Sequence, residues 1–216
     1  MQLRFPRKAL FAAALFAAAP LALAADGITD PLGDYVAGFS GSKLGDLDVL
    51  SAFVTYDPGT DKFVFSGSFA ANVGSTAGGF YVFGVNRGAG TAGFAANGLP
   101  NVLFDSVVIF NQDGSARITG TNPATLLPPG SIQINGATIT GEIDGAFLPS
   151  TGFAKTDYTW NLWPRDGALA GFAAISDFAP DSTNVAVAVV PEPSTYALMA
   201  LGLGLLGWRA RKARRA

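Results

Sequence analysis

The chain has no cysteine and no histidine among its 216 residues. Without cysteine there is no disulfide framework, no thiolate metal site and no thiol nucleophile. Without histidine the commonest general base and the commonest zinc ligand are missing, and a Ser-His-Asp triad cannot be built. Glutamate is almost absent too, at positions 142 and 192 only. Basic residues are scarce between the two ends. Residues 25–190 keep Lys43, Lys62, Arg87, Arg117, Lys155 and Arg165 against 15 acidic side chains, a net charge of −9. Such a body repels phosphate backbones, which excludes nucleic acid as a partner, and it attracts divalent cations. The remaining length is room for one domain stabilised by burial alone.

The basic residues missing from the body are gathered at the ends. Arg4, Arg7 and Lys8 precede an apolar run from Ala9 to Ala19, and Pro20 breaks it. Ala22 and Ala24 then place small residues where a signal peptidase reads. Residues 1–24 are therefore expected to be a signal peptide, cleaved after Ala24 or Ala25.

At the other end, Pro191-Glu192-Pro193 leads into an uncharged stretch, Tyr196 to Trp208, 13 residues long. Arg209, Arg211, Lys212, Arg214 and Arg215 follow it. The stretch is short against the roughly 20 residues that span a bilayer, but arginines that snorkel lengthen its reach. The expectation is a single transmembrane helix over 196–208. Tyr196 and Trp208 would lie at the headgroup level, and 209–216 would be a membrane-stop tail in the cytoplasm.

The P-E-P string, the short apolar stretch and the arginine cluster together resemble the PEP-CTERM sorting signal. That resemblance implies an exported protein of a Gram-negative bacterium that makes extracellular polysaccharide. It also implies a transient hold at the inner membrane and processing by an exosortase-type protease. The prolines suit that role, because they keep the backbone extended where a protease must bind it.

Between the ends the sequence reads as all-β, an antiparallel β-sandwich of jelly-roll type over residues 25–179. Short alternating runs are separated by Gly, Pro, Asn and Asp. Expected strands are 47–56, 62–71, 79–87, 102–110, 115–119, 131–134, 137–143, 158–163 and 168–176. Hairpin turns are expected at 57–61, at Asn111-Gln112-Asp113-Gly114 and at Asn135-Gly136. Residues 180–195 read as an exit linker holding the P-E-P string, and 184–190 within it as either a last edge strand or a spacer. The segments Gly33–Tyr35, Gly45–Ala52 and Gly84–Gly88 are similar to carbohydrate-binding-type sandwich domains of exported proteins, which implies polysaccharide as a partner.

Several local patterns have two readings. Gly88-Ala89-Gly90-Thr91-Ala92-Gly93 fits G-x-G-x-x-G, but Gly98 and Pro100 forbid the helix a dinucleotide site needs, so it reads as a surface loop. Leu148-Pro149-Ser150-Thr151-Gly152 fits the sortase pattern L-P-x-T-G, yet lies too far before the apolar tail and also reads as a loop. Asp26, Asp30, Asp34, Asp46 and Asp48 cluster near the N-terminal end of the body. They are solvated turn residues or hard oxygen ligands for Ca²⁺, with Asp46 and Asp48 the first choice of metal ligands. Tyr158, Trp160 and Trp163 are core residues or a sugar-stacking platform. Glu142 and Asp144 share one strand face and would be the acid pair of a glycoside hydrolase. The expectation is a non-catalytic surface or matrix protein, with no assigned catalytic residue and no cofactor beyond Ca²⁺. The alternative is a secreted carboxylate-dependent glycosidase.

Overall fold

The structure, a computed structural model, describes residues 27–120, 124–191 and 193–213. The cleavage residues Ala22 and Ala24, the acidic Asp26 and the motif residue Glu192 lie outside the described residues, as do Arg214 and Arg215.

The body is built from two sheets of six strands. The first runs β1 (Ile28–Thr29), β2 (Val49–Asp57), β3 (Lys62–Phe69), β9 (Thr138–Asp144) and β8 (Ile132–Asn135), with β12 (Ala188–Val189) also on β2. The second runs β11 (Val185–Ala186), β10 (Thr159–Arg165), β4 (Phe80–Asn86), β5 (Ser106–Asn111), β6 (Ala116–Thr119) and β7 (Thr125–Leu126). Every pairing is antiparallel except the short contact of β12 with β2.

The turns work through their side chains. Asp113 Oδ1 accepts from the Ser115 amide and hydroxyl, so 111–114 closes the β5–β6 hairpin as expected. Asp57 accepts from the Gly59 amide and the Thr60 hydroxyl and closes β2 onto β3.

Alternation along β3 sends Phe63, Phe65 and Phe69 inward. Phe65 meets Phe83 of β4 edge-on at 5.3 Å, and Phe63 stacks on Tyr158 at 5.7 Å. One aromatic core therefore joins the two sheets. Each fully buried ring contributes about 1.5–3 kcal/mol.

The second sheet is covered on its outer face as well. Trp163, Val82, Ile109 and Phe178 pack there under loops carrying Phe94, Phe104 and Phe172. This explains why β4 and β10 are buried almost continuously rather than at every second residue. Gly84 makes the packing possible, since a Cβ there would stand 2.3 Å from the Trp163 ring.

Two expected strands are corrected. Residues 102–105 are not strand. They form the return arm of a loop in which Phe104 bridges Thr91, and β5 begins only at Ser106. Residues 168–176 contain a 3₁₀ turn, Phe172–Ala174, because Gly171 at φ +65° turns the chain and drives Phe172 onto the second cluster. Residues 185–189, open between strand and spacer, are edge strands of both sheets. Val185 and Ala186 pair with β10, then Ala188 and Val189 pair with β2.

Beyond Pro191 a single helix, α1 (Pro193–Ala213), carries the tail. Proline is well placed at a first helical turn, where its missing N–H costs nothing. Leu198, Leu201, Leu203, Leu205 and Leu206 are all exposed. The expected transmembrane helix is corrected: among the described residues, no helix is long and apolar enough to cross a membrane. The apolar run is too short, framed by polar residues on one side and Arg209 and Arg211 on the other.

Candidate functional site

The acidic residues of the N-terminal segment fall into two groups with different tasks. Asp46 is fully buried and saturated. Its oxygens accept from the amides of Gly74 and Thr76, the Tyr81 hydroxyl and the Gln112 side chain. It stitches the 72–79 loop to the end of the second sheet. Burial and then Asp46 push the Tyr81 phenol far above its ordinary range.

Asp48, the other expected metal ligand, faces elsewhere. Its Oδ2 accepts from the Gly33 amide at 2.9 Å, and its Oδ1 is buried with no hydrogen-bond donor. Burial raises its carboxyl, against the Gly33 amide. Asp46 and Asp48 are therefore not brought together as a ligand pair.

Four other carboxylates do converge. Asp30, Asp34, Asp177 and Asp181 each place an oxygen within 4.8 Å of the others. Asp30 follows β1 and is held there by its amide on Leu50 O at 2.9 Å. Asp177 is buried, its Oδ2 accepting from the Val49 amide and its Oδ1 from the Phe178 amide. Asp30 Oδ2 is buried without a donor.

Asp34, Asp177 and Asp181 line a cavity of about 340 Å³ together with Val36, Asn97, Leu99 and Phe172. Burial, followed by the charges of Asp177, Asp34 and Asp181, lifts the Asp30 carboxyl to about 8. Burial and neighbouring acids lift Asp177 to about 7, against its backbone hydrogen bonds. The ion pairs of the described body lie elsewhere: Lys62 with Glu142, Arg87 with Asp105, Lys155 with Asp61. Lys43 sits over the Tyr35 ring and Arg165 donates to Gly171 O. The cluster is thus a set of hard oxygens without a described cationic side chain as counter-ion. Sequence reading found Asp30 and Asp34 but missed Asp177 and Asp181, since only the fold brings them across more than 140 positions.

The remaining patterns resolve into structure. Tyr158, Trp160 and Trp163 are buried, so they form core and not a stacking platform. Glu142 pairs with Lys62 on an exposed face, and Asp144 accepts from the Ala146 amide to cap a 3₁₀ turn. The G-x-G-x-x-G loop is shaped by Asn86 Oδ1, which accepts from the Gly88 and Gly90 amides. The L-P-x-T-G segment packs against it. The Thr151 and Phe153 amides donate to Arg87 O, and the Thr151 hydroxyl to Asp105.

The tail is defined by its linear sequence. The Val190 amide donates to Tyr56 O at 2.9 Å, the last tie to the sheets, and Pro191 follows at once. Residues 189–215 match the PEP-CTERM protein-sorting motif. No curated protein and no solved structure matches the chain significantly. The chain carries a PEP-CTERM sorting signal, which marks an exported protein addressed to exosortase processing and to membrane-associated sorting toward the cell surface.

Proposed function

We propose that the chain is a non-catalytic surface or matrix protein of a Gram-negative bacterium. Its tail holds it at the inner membrane only until an exosortase-type protease cuts near Pro191-Glu192-Pro193. The observation that carries this reading is the sorting motif at 189–215, which begins at the last strand of the β body. The helix of the tail has apolar side chains exposed on several faces, which favours burial in lipid or against a membrane protein. Its arginines favour the anionic headgroups of a membrane surface. A signal peptidase is the partner at the other end of the chain.

The body is a structural or polysaccharide-associated module. Of the acid pair first considered for a glycosidase, Glu142 lines a surface hollow of about 440 Å³ with Ser131 and Gln133 but is paired with Lys62, and Asp144 is not part of that lining and caps a 3₁₀ turn instead. Four carboxylates drawn to one point suit a cation better than an acid and a nucleophile standing about 5–5.5 Å apart on either side of a sugar bond.

The test is replacement of Pro191, Glu192 and Pro193 by alanine in cells. The variant accumulates with its tail attached in the inner-membrane fraction, where the wild type passes to the surface. Equal amounts of tail-less protein at the surface would overturn the reading.

A further inference from the structure

We propose that β8 is the docking edge for a second copy of this chain, which adds its own β8 antiparallel and joins two first sheets into one. β8 ends its sheet: β9 lies on one side and, among the described residues, no strand lies on the other. The Glu142 amide donates to Ser131 O at 3.0 Å, and β8 stays in register with β9 from there to the pair of Asn135 with Thr138. Hydrogen-bonded pairs alternate along an antiparallel ladder, so Ser131, Gln133 and Asn135 turn their backbone groups to β9. Ile132 and Ile134 turn theirs outward, where a further strand would meet them.

Natural sheet edges are blunted by charge, proline or a bulge. β8 reads Ile-Gln-Ile-Asn, pairs without a register shift and has none of these. Ile134 is 38% exposed. The edge of the second sheet on the same side is β7, where Leu126 is 80% exposed. This side of the sandwich is neutral, because no acidic or basic residue occurs from 118 to 141. The acidic residues Asp30, Asp34, Asp177 and Asp181 gather by the opposite edges, after β1 and before β11.

Charge names the occupant. With a net charge of −9, two bodies repel each other over most approaches and least where both are neutral. A basic partner would be drawn to the acidic side instead. Self-complementarity then fixes the register. A two-fold axis at Gln133 sets Ile132 of each copy opposite Ile134 of the other. Both outward residues exchange N–H···O bonds, and the half-exposed Ile134 gains an apolar cross-strand neighbour. On the outer face Gln133 meets its own copy and Ser131 meets Asn135, groups that both donate and accept. A register centred on Ile134 would enlist Gly136, which turns the chain at φ +58° and whose carbonyl already accepts from the Val73 amide. An interface of about four backbone hydrogen bonds is small, so pairing is weak and grows with concentration. It rests on the fold and not on the sorting reading.

The native chain has no cysteine, so single introduced cysteines report contact between copies. Facing residues of a non-hydrogen-bonded antiparallel pair have Cα atoms about 4.5 Å apart, within disulfide reach. The full chain carrying Gln133→Cys is oxidised mildly in detergent beside Ala96→Cys, an exposed site in the loop over the second sheet. Gln133→Cys should form a covalent dimer roughly tenfold faster, since pairing raises the effective concentration of the two thiols. Ile134→Pro removes an outward N–H without breaking a ladder bond inside the chain. Ile134→Lys leaves the backbone intact and puts a charge from each copy at the seam. Either one, added to Gln133→Cys, should lower the rate to that of Ala96→Cys with the far-ultraviolet spectrum unchanged. Equal rates for Gln133→Cys and Ala96→Cys would overturn the proposal. So would an undiminished Gln133→Cys rate with Ile134→Lys present, which would assign association to another surface, such as the tail helix.

Discussion

Replacing Arg87 by methionine keeps most of the side-chain volume and removes every donor. The Arg87 side chain is 3% exposed and that of Asp105 10%. Nε donates to Asp105 Oδ1 at 2.8 Å, Nη1 to Pro149 O at 3.0 Å and Nη2 to Gly120 O at 3.3 Å. One guanidinium therefore binds the β4–β5 loop, the end of β6 and the 148–153 loop. Without it Asp105 keeps the Thr151 hydroxyl and the Ala89 amide, but its charge is uncompensated and three carbonyls, those of Pro149, Asp105 and Gly120, lose their donor. Breaking a buried pair from one side costs about 3–5 kcal/mol. That is a large part of the about 5–15 kcal/mol that holds a domain together. At about 2–4 °C per kcal/mol, Tm should fall by roughly 6–20 °C. Arg87→Lys should fall between, since an ammonium has the charge but not the fork. Thermal and urea unfolding followed by circular dichroism measure this. A loss under about 1 kcal/mol for Arg87→Met would refute the reasoning, because surface ion pairs are worth no more.

In EDTA the body should lose stability as pH rises from about 5 to 8. Asp30 and Asp177 have carboxyls raised to about 8 and about 7 when folded, against about 3.9 unfolded. Their contribution is full below about pH 4 and lost as pH climbs through the folded values. A Tm in EDTA that is equal or higher at pH 8 would contradict this. Glu142→Gln should leave Tm within about 2–4 °C, since its pair with Lys62 is exposed, and should abolish no hydrolytic activity. Loss of a measured glycosidase activity in that variant would restore the enzyme reading.

Hairpins were readable because their turn residues act locally. Asp57 and Asp113 bind amides two residues on, and that chemistry shows in four letters of sequence. The two-residue strands β1 and β7 were not readable, and β11 and β12 stayed open between strand and spacer, since a run of two has no period. Residues 102–105 and 168–176 misled for one reason: both are apolar because they cover the outer face of the second sheet. A loop lid and a strand then carry the same composition. Acidic composition pointed to cations, but adjacency in sequence favoured Asp46 and Asp48. The fold spends Asp46 on a loop and recruits Asp177 and Asp181 from the far end of the chain. The sorting tail was legible from its linear sequence, which the match over residues 189–215 bears out, but its apolar run is too short for the membrane span expected of it.

The central claim is that the tail is cut near Pro191-Glu192-Pro193, and the intact mass of protein recovered outside the inner membrane tests it most directly. Wild-type protein from the surface should begin at Ala25 or Asp26 and should lack the helix and arginine cluster beyond Pro193. The alanine-replaced protein should instead carry its complete tail and remain with the membrane. Surface protein of wild-type sequence that still ends at Ala216 would contradict the account.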